Sequence, residues 1–297
     1  MVIDSGTDGP EFIRKPELTQ KIREEIGKLF TIRKNKLHAL QESLLQQAAA
    51  RHPDKSPPLS PVDLLIPRET AFDIKLSIDQ LHQATETCLQ GLIDQGSSAI
   101  PDIASSATDV LGWLILLAVN ESWLQKESGL LDRLLSANHI AIPLETEAGT
   151  EVVFARLRTK KPAKLTLGND GVQVFNPNRL EWGQLELGIS KPDRMTEIHK
   201  LIWKAVMKSD VLTIGDGELK QLKAILEIRY ERGENYYIII RAFSDESAIL
   251  MKLRNDFPHL CAFLIGVEAD EGVLVIPEIH LIVLIREFLL MLRKYHP

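Results

Sequence analysis

Apolar and polar positions change period twice along this chain. Up to about residue 137 apolar side chains recur every three or four residues, from Ile140 they alternate, and the last twenty residues return to a helical period. That final stretch carries the blocks Leu281-Ile282-Val283-Leu284-Ile285 and Phe288-Leu289-Leu290-Met291-Leu292, separated only by Arg286-Glu287. Polar pairs recur a heptad apart, at Arg286/Glu287 and Arg293/Lys294, so charge forms one narrow stripe. A core-facing surface helix is apolar over about three positions in seven. This one approaches five, which predicts packing against its own domain and against a partner as well, with Leu281, Ile285, Phe288 and Leu292 as the contact positions.

At the other end, Leu18, Ile22, Ile26, Leu29, Phe30, Leu37, Leu40, Leu44 and Leu45 follow Pro16 on a sloping apolar face. This pattern predicts one amphipathic helix over 16–50, roughly 50 Å long, after a flexible stretch over 1–15. Phe30, Leu37 and Leu44 are a heptad apart and form its expected pairing seam, within or between chains. Pro53, Pro57, Pro58, Pro61 and Pro67 then mark a linker over 51–69. Residues 70–138 read as helices, Phe72 to Ile93 and about Ile103 to Leu135 with a break near Ser128-Gly129, separated by Gln95-Gly96-Ser97-Ser98 and Pro101.

The alternating region predicts an antiparallel β-meander over 139–192. Ala141–Glu145 and Glu151–Arg158 flank Glu147-Ala148-Gly149, Lys164–Leu167 and Val172–Phe175 flank Gly168-Asn169-Asp170-Gly171, and Gln184–Ile189 extends the sheet. Over 193–297 a helix from Asp193 to Lys208 is expected to precede a β-β-α-β-β-α module. Its strands are Leu222–Tyr230, Tyr236–Phe243, Cys261–Val267 and Val273–Ile276, its first helix is capped by Ser244-Asp245, and the terminal helix closes it. The fold class expected is therefore α+β, a helical N-terminal half followed by antiparallel sheet.

Composition adds limits. With 297 residues, 44% hydrophobic and 26% charged, the chain has room for one large or two compact domains. Its two cysteines, Cys88 and Cys261, have no metal or redox spacing, which favours a reducing compartment. The N-terminus lacks a basic region followed by an apolar core, and neither Val110–Val119 nor the charge-interrupted tail reaches the ~18–20 residues of a span, so a cytoplasmic location without a membrane span is expected. Charge is uneven. Residues 61–150 carry thirteen acidic against four basic side chains, which disfavours a phosphate-binding surface there.

Phosphate-loop, nucleophile-elbow, zinc-helix and dinucleotide signatures do not occur, the eight histidines are dispersed, and no cofactor or metal is implied. Two chemical alternatives remain. Glu227 and Arg229, two apart on an expected strand, resemble the carboxylate and cation of a metal-dependent nuclease, with Asp210 and Asp216 near the glycines 215 and 217 as further oxygen donors. Arginine stands where lysine would be expected there. Arg156, Arg158, Lys160, Lys161 and Lys164 place five cations in nine residues, a patch able to meet nucleic-acid phosphates, although no aromatic rings interleave with it. The excess of apolar helix favours a third reading: a non-catalytic protein–protein interaction subunit, an adaptor or regulatory component that binds a partner or a second copy.

Overall fold

The computed structural model describes residues 15–32, 34–51, 60–68, 73–126, 139–144, 146–158, 162–168, 171–175, 179–180, 191–232, 236–241, 246–266, 275–276 and 278–295. In chain order these form α1 (Lys15–Ile32), α2 (Lys34–Arg51), α3 (Pro61–Leu65), α4 (Ile74–Asp94), α5 (Ile100–Leu114) with a 3-10 turn (Ile115–Ala118), and α6 (Glu121–Lys126). There follow β1 (His139–Ala141), α7 (Glu147–Arg158), β2 (Lys164–Gly168), β3 (Gly171–Phe175), β4 (Arg179–Leu180), α8 (Lys191–Met207), α9 (Asp216–Glu231), β5 (Tyr237–Arg241), α10 (Glu246–Asp256), β6 (Cys261–Ile265) and α11 (Glu278–Tyr295). Two compact units result, and their chain segments interleave: the described residues of Glu11–Gln125, Glu151–Phe175 and Leu274–Pro297 build a helical unit, while those of Lys126–Thr150 and Asn176–Val273 build an α/β unit.

In the helical unit α4 is the central rod, packed on α2, α5 and α11. Its N-cap is Asp73, whose carboxylate accepts from the amides of Lys75 and Leu76. The expected single helix over 16–50 is two helices. Gln41 Nε2 donates to the carbonyl of Phe30 at 3.1 Å, whereas eleven residues on a straight helix span about 16 Å, so α2 folds back toward α1. A seam too long for one small core is thereby divided into two short ones. The linker prolines at 53, 57 and 58 lie outside the described residues, as does 1–14; Pro61, by contrast, starts α3 behind the N-cap Ser60.

The terminal helix explains its own composition. Helix α11 packs on α4, on α5 and on both strands of the β2–β3 hairpin, and Arg293 donates to the carbonyl of Leu167 in that hairpin. A helix covered from several sides needs more than a three-in-seven apolar face. The hairpin is antiparallel with Gly168 opposite Gly171, as the turn composition predicts. Helix α5 with its 3-10 turn, Ile100–Ala118, is one helical stretch long and apolar enough to cross a membrane by length and composition, but it is mostly buried among its neighbours.

The expected antiparallel α+β arrangement is corrected in the other unit and in α7. Strands β1, β6, β5 and β4 form one sheet in that order, every pair parallel. A strand, a helix and a strand of one sheet make a crossover, and crossovers join parallel neighbours; β5, α10 and β6 are such a unit. Leu222–Tyr230 is helical within α9, not a strand. Leu222 and Leu226 are buried four apart, and Glu218 accepts the Gly215 N–H at 3.1 Å, so a capped helix wins over an alternation that fits both periods. Glu151–Arg158 likewise belongs to α7, whose start is fixed by Gly149 N–H donating to Thr146 Oγ1 at 3.0 Å. Val275 and Ile276 are not strand, and Val275 instead accepts the N–H of Asn120. Gln184–Ile189, the break at Ser128-Gly129 and the Ser244-Asp245 cap lie outside the described residues. On one face of the parallel sheet, Ile238 and Ala262 meet Ile198, Ile202 and Val206 of α8, Leu222 and Leu226 of α9, and Leu253 and Phe257 at α10. Neither a meander nor a β-β-α-β-β-α module is present among the described residues.

Candidate functional site

The seven expected partner-binding positions are core. Phe30, Leu37, Leu44, Leu281, Ile285, Phe288 and Leu292 are all buried within the helical unit's own segments. Sequence pattern identified them as covered positions, and segments of the same unit bury them.

The nuclease residues do not converge. Positions 227 and 229 share a face on a strand but stand about 200° apart on a helix, and Glu227 is exposed on α9. Arg229 instead donates to Tyr236 Oη and to the Val206 carbonyl, locking α9 to its own core. Asp210 pairs with Lys204 at 2.8 Å in solvent, and Asp216 sits exposed in the first turn of α9. No group of three metal-ligating side chains occurs among the described residues. The basic patch is divided too. Arg156 is 1% exposed and pairs with Glu121 at 3.1 Å, while Lys164 is exposed on β2; the side chain of Arg158, and Lys160 and Lys161 altogether, lie outside the described residues.

What the helical unit does offer is a cleft of about 520 Å³ between α1 and α3, which sequence reading missed. Its floor is apolar, from Phe30, Pro61 and Val62, and its rim is polar, from Gln20, Arg23, Glu24, Gln41 and Arg68. Gly27 lies mid-helix on α1, where a Cβ would only reach ordinary contact with Val62 at 3.9 Å, so the missing side chain contributes open space. Asp63 organises one wall. It accepts from Ser60 Oγ at 2.6 Å, from Arg68 Nε at 3.1 Å and from Arg23, whose guanidinium also reaches the Ile66 carbonyl. The Ser60 hydroxyl foremost, with the two guanidiniums, holds the Asp63 carboxyl below the usual carboxylate range. Buried Arg23 is therefore neutralised, while exposed Arg68 commits only Nε to Asp63 among the described residues. The legible signals were Ser60-Pro61-x-Asp63, a capped helix start, and a glycine inside a helical run.

No family model, curated protein or solved structure matches this chain.

Gly27→Ala follows as a first prediction. Alanine relieves the helical cost of glycine without a clash, so stability should rise by about 0.5–1 kcal/mol in urea denaturation; an unchanged or lowered midpoint contradicts the open space seen beside Val62.

In the α/β unit one cluster of charges is built across three helices. His199 of α8 lies with Nε2 3.2 Å from Asp256 Oδ2 at the end of α10, Lys223 of α9 lies 3.7 Å from Asp256 Oδ1, and the Phe257 ring meets the imidazole edge-on at 5.3 Å. Burial pushes the His199 pKa down, offset in part by Asp256 and reinforced by Lys252 and Lys223. The cluster sits where α10 leads into β6, at the amino end of that strand, whereas ligands of parallel sheets sit off the carboxyl ends; it ties helices together. Because the folded imidazole resists a proton that the unfolded one takes up, His199 contributes stability fully present above about pH 6.5 and lost as pH falls below it. Denaturation followed by Trp203 fluorescence should show a larger loss from pH 7.5 to 5 in wild type than in His199→Gln; equal losses would remove His199 as the source.

Proposed function

We propose that this chain is a non-catalytic protein–protein interaction subunit, an adaptor or regulatory component, whose helical unit receives an extended acidic segment of a partner protein in the α1–α3 cleft. The observation that supports the reading is the cleft itself: an apolar floor of Phe30 and Val62 beneath a polar rim in which Glu24 accepts from Gln20 at 2.8 Å, Arg23 is matched by Asp63, and Arg68 brings the cation that faces a ligand. That composition suits a peptide, whose side chains enter the floor while its backbone meets Gln20 and Gln41. Arg68 supplies the charge. With only Nε committed to Asp63, its terminal nitrogens remain for a carboxylate in the bidentate geometry that guanidinium favours.

Affinity capture from the native cell with wild type, Gly27→Ala, Gly27→Leu and Arg68→Glu tests the proposal. Leucine at 27 projects toward Val62 and fills the cleft; alanine leaves it open. A protein recovered with wild type and Gly27→Ala, and lost with Gly27→Leu and Arg68→Glu while circular dichroism shows both variants folded, is the expected result. Identical recoveries with all four proteins would contradict it.

A further inference from the structure

The lining of the cleft has an order along α1. Arg23, Gly27 and Thr31 follow one another at four-residue steps on the stripe of α1 that faces the cleft. Each step is a rise of about 6 Å. Arg68 stands level with Arg23, because the guanidiniums of both donate to the same oxygen, Asp63 Oδ1. Val62 stands level with Gly27, where a Cβ would come 3.9 Å from its Cγ2, and there the wall of α1 recedes by one side chain. Phe30 and Thr31 form the far end, where Gln41 donates to the Phe30 carbonyl.

An extended chain repeats on nearly the same scale. Its side chains return to one face at every second residue, about 6.7 Å along the strand, which matches one four-residue step of α1 to within about 1 Å. We infer that the cleft selects its partner segment by spacing: a carboxylate on Arg68 and, two residues from it, a leucine-sized apolar side chain in the recess between Gly27 and Val62. This rests on the cleft reading proposed above and adds the register to it. The spacing is the same for either chain direction. An apolar residue one or three positions from the carboxylate points to the opposite face of an extended chain and misses the recess. One placed four positions away, about 13 Å along, overshoots Gly27 and comes level with Thr31. Arg68 thus reads the charge, and the missing side chain at 27 reads where the apolar residue stands.

Fluorescence anisotropy of the full chain with defined peptides tests this. Three labelled nonapeptides share one composition, a glutamate and two leucines in a serine background, and differ in whether the leucines stand one, two or three residues to either side of the glutamate. That symmetry serves both chain directions. The peptide with two-residue spacing should bind at least about tenfold tighter than the other two, the worth of one leucine seated against apolar surface. In Gly27→Leu, with circular dichroism showing a folded protein, the preference should vanish. Arg68 is exposed, so Arg68→Gln leaves the fold intact and should weaken that peptide by about tenfold or more, to the affinity of its glutamine counterpart. Equal binding of all three peptides, or a preference for another spacing, each lost with Arg68→Gln, would overturn the register and leave the cleft reading standing. No binding of any peptide up to about 1 mM, or binding unchanged in both variants, would overturn the register and the acidic-segment reading together.

Discussion

Truncating Phe288 to alanine is expected to lower the stability of the helical unit by about 3–5 kcal/mol, the range for a large aromatic removed from a core that cannot collapse around the loss. The ring is fully buried and meets His82 of α4 edge-on at 5.8 Å, and Leu281, Ile285 and Leu292 of the same helix are buried with it. Urea denaturation at a few micromolar protein measures it, with a midpoint that falls by the same amount at every protein concentration. The alternative expectation from sequence was that this ring closes a contact between molecules. In that case the dilute variant would melt like the dilute wild type and only association would suffer.

Gly112→Ala should be as damaging for the opposite reason. A Cβ at residue 112 would stand 2.2 Å from the carbonyl oxygen of Ala163, in backbone that cannot swing aside, and Ala163 N–H also donates to the Gly112 carbonyl at 3.2 Å. Helix α5 and the chain entering β2 approach at this point as closely as a missing side chain permits. Overpacking against backbone has to be relieved by moving an element, so a loss of about 3 kcal/mol or more is expected, together with loosened β2–β3 amides in hydrogen exchange. A melting temperature within about 2 °C of wild type would show that the approach is not as close as described.

Periodicity made the long elements legible. Helices α4, α8 and α11 lie where three-to-four spacing predicts them, and the β2–β3 hairpin lies where Gly168-Asn169-Asp170-Gly171 predicts a turn. Short segments misled because two periods fit them. Leu222-x-Ala224-x-Leu226 reads as alternation and as a four-residue repeat, and the cap at Gly215 with Glu218 decides the matter through one side-chain hydrogen bond. Pairing direction was misread although its cause was visible: a helix between Tyr237–Arg241 and Cys261–Ile265 requires parallel strands. The apolar excess of α11 was legible and the source of its cover was not, because a sequence shows how many sides of a helix need cover and not that α4, α5 and the β2–β3 hairpin of the same chain supply it.

The cleft was illegible for a related reason. Ser60-Pro61-x-Asp63 marks a capped helix start and Gly27 stands inside a helical run, but Arg23 and Asp63 lie 40 residues apart and Gly27 differs from any other helical glycine only through what faces it, so no local pattern brings the two walls together. Conversely, the residues that sequence grouped by proximity were separated by geometry. Glu227 and Arg229 share no face once the strand is a helix, and Arg156 turns inward to Glu121 while Lys164 faces solvent.

Amide hydrogen exchange on the dilute wild-type protein tests most directly the claim that the oily helices are enclosed by their own chain. The structure predicts that amides over 281–292 and over 37–44 exchange only through global unfolding at low micromolar concentration. Exchange of these segments at local-fraying rates, with protection appearing only as concentration rises, would contradict it.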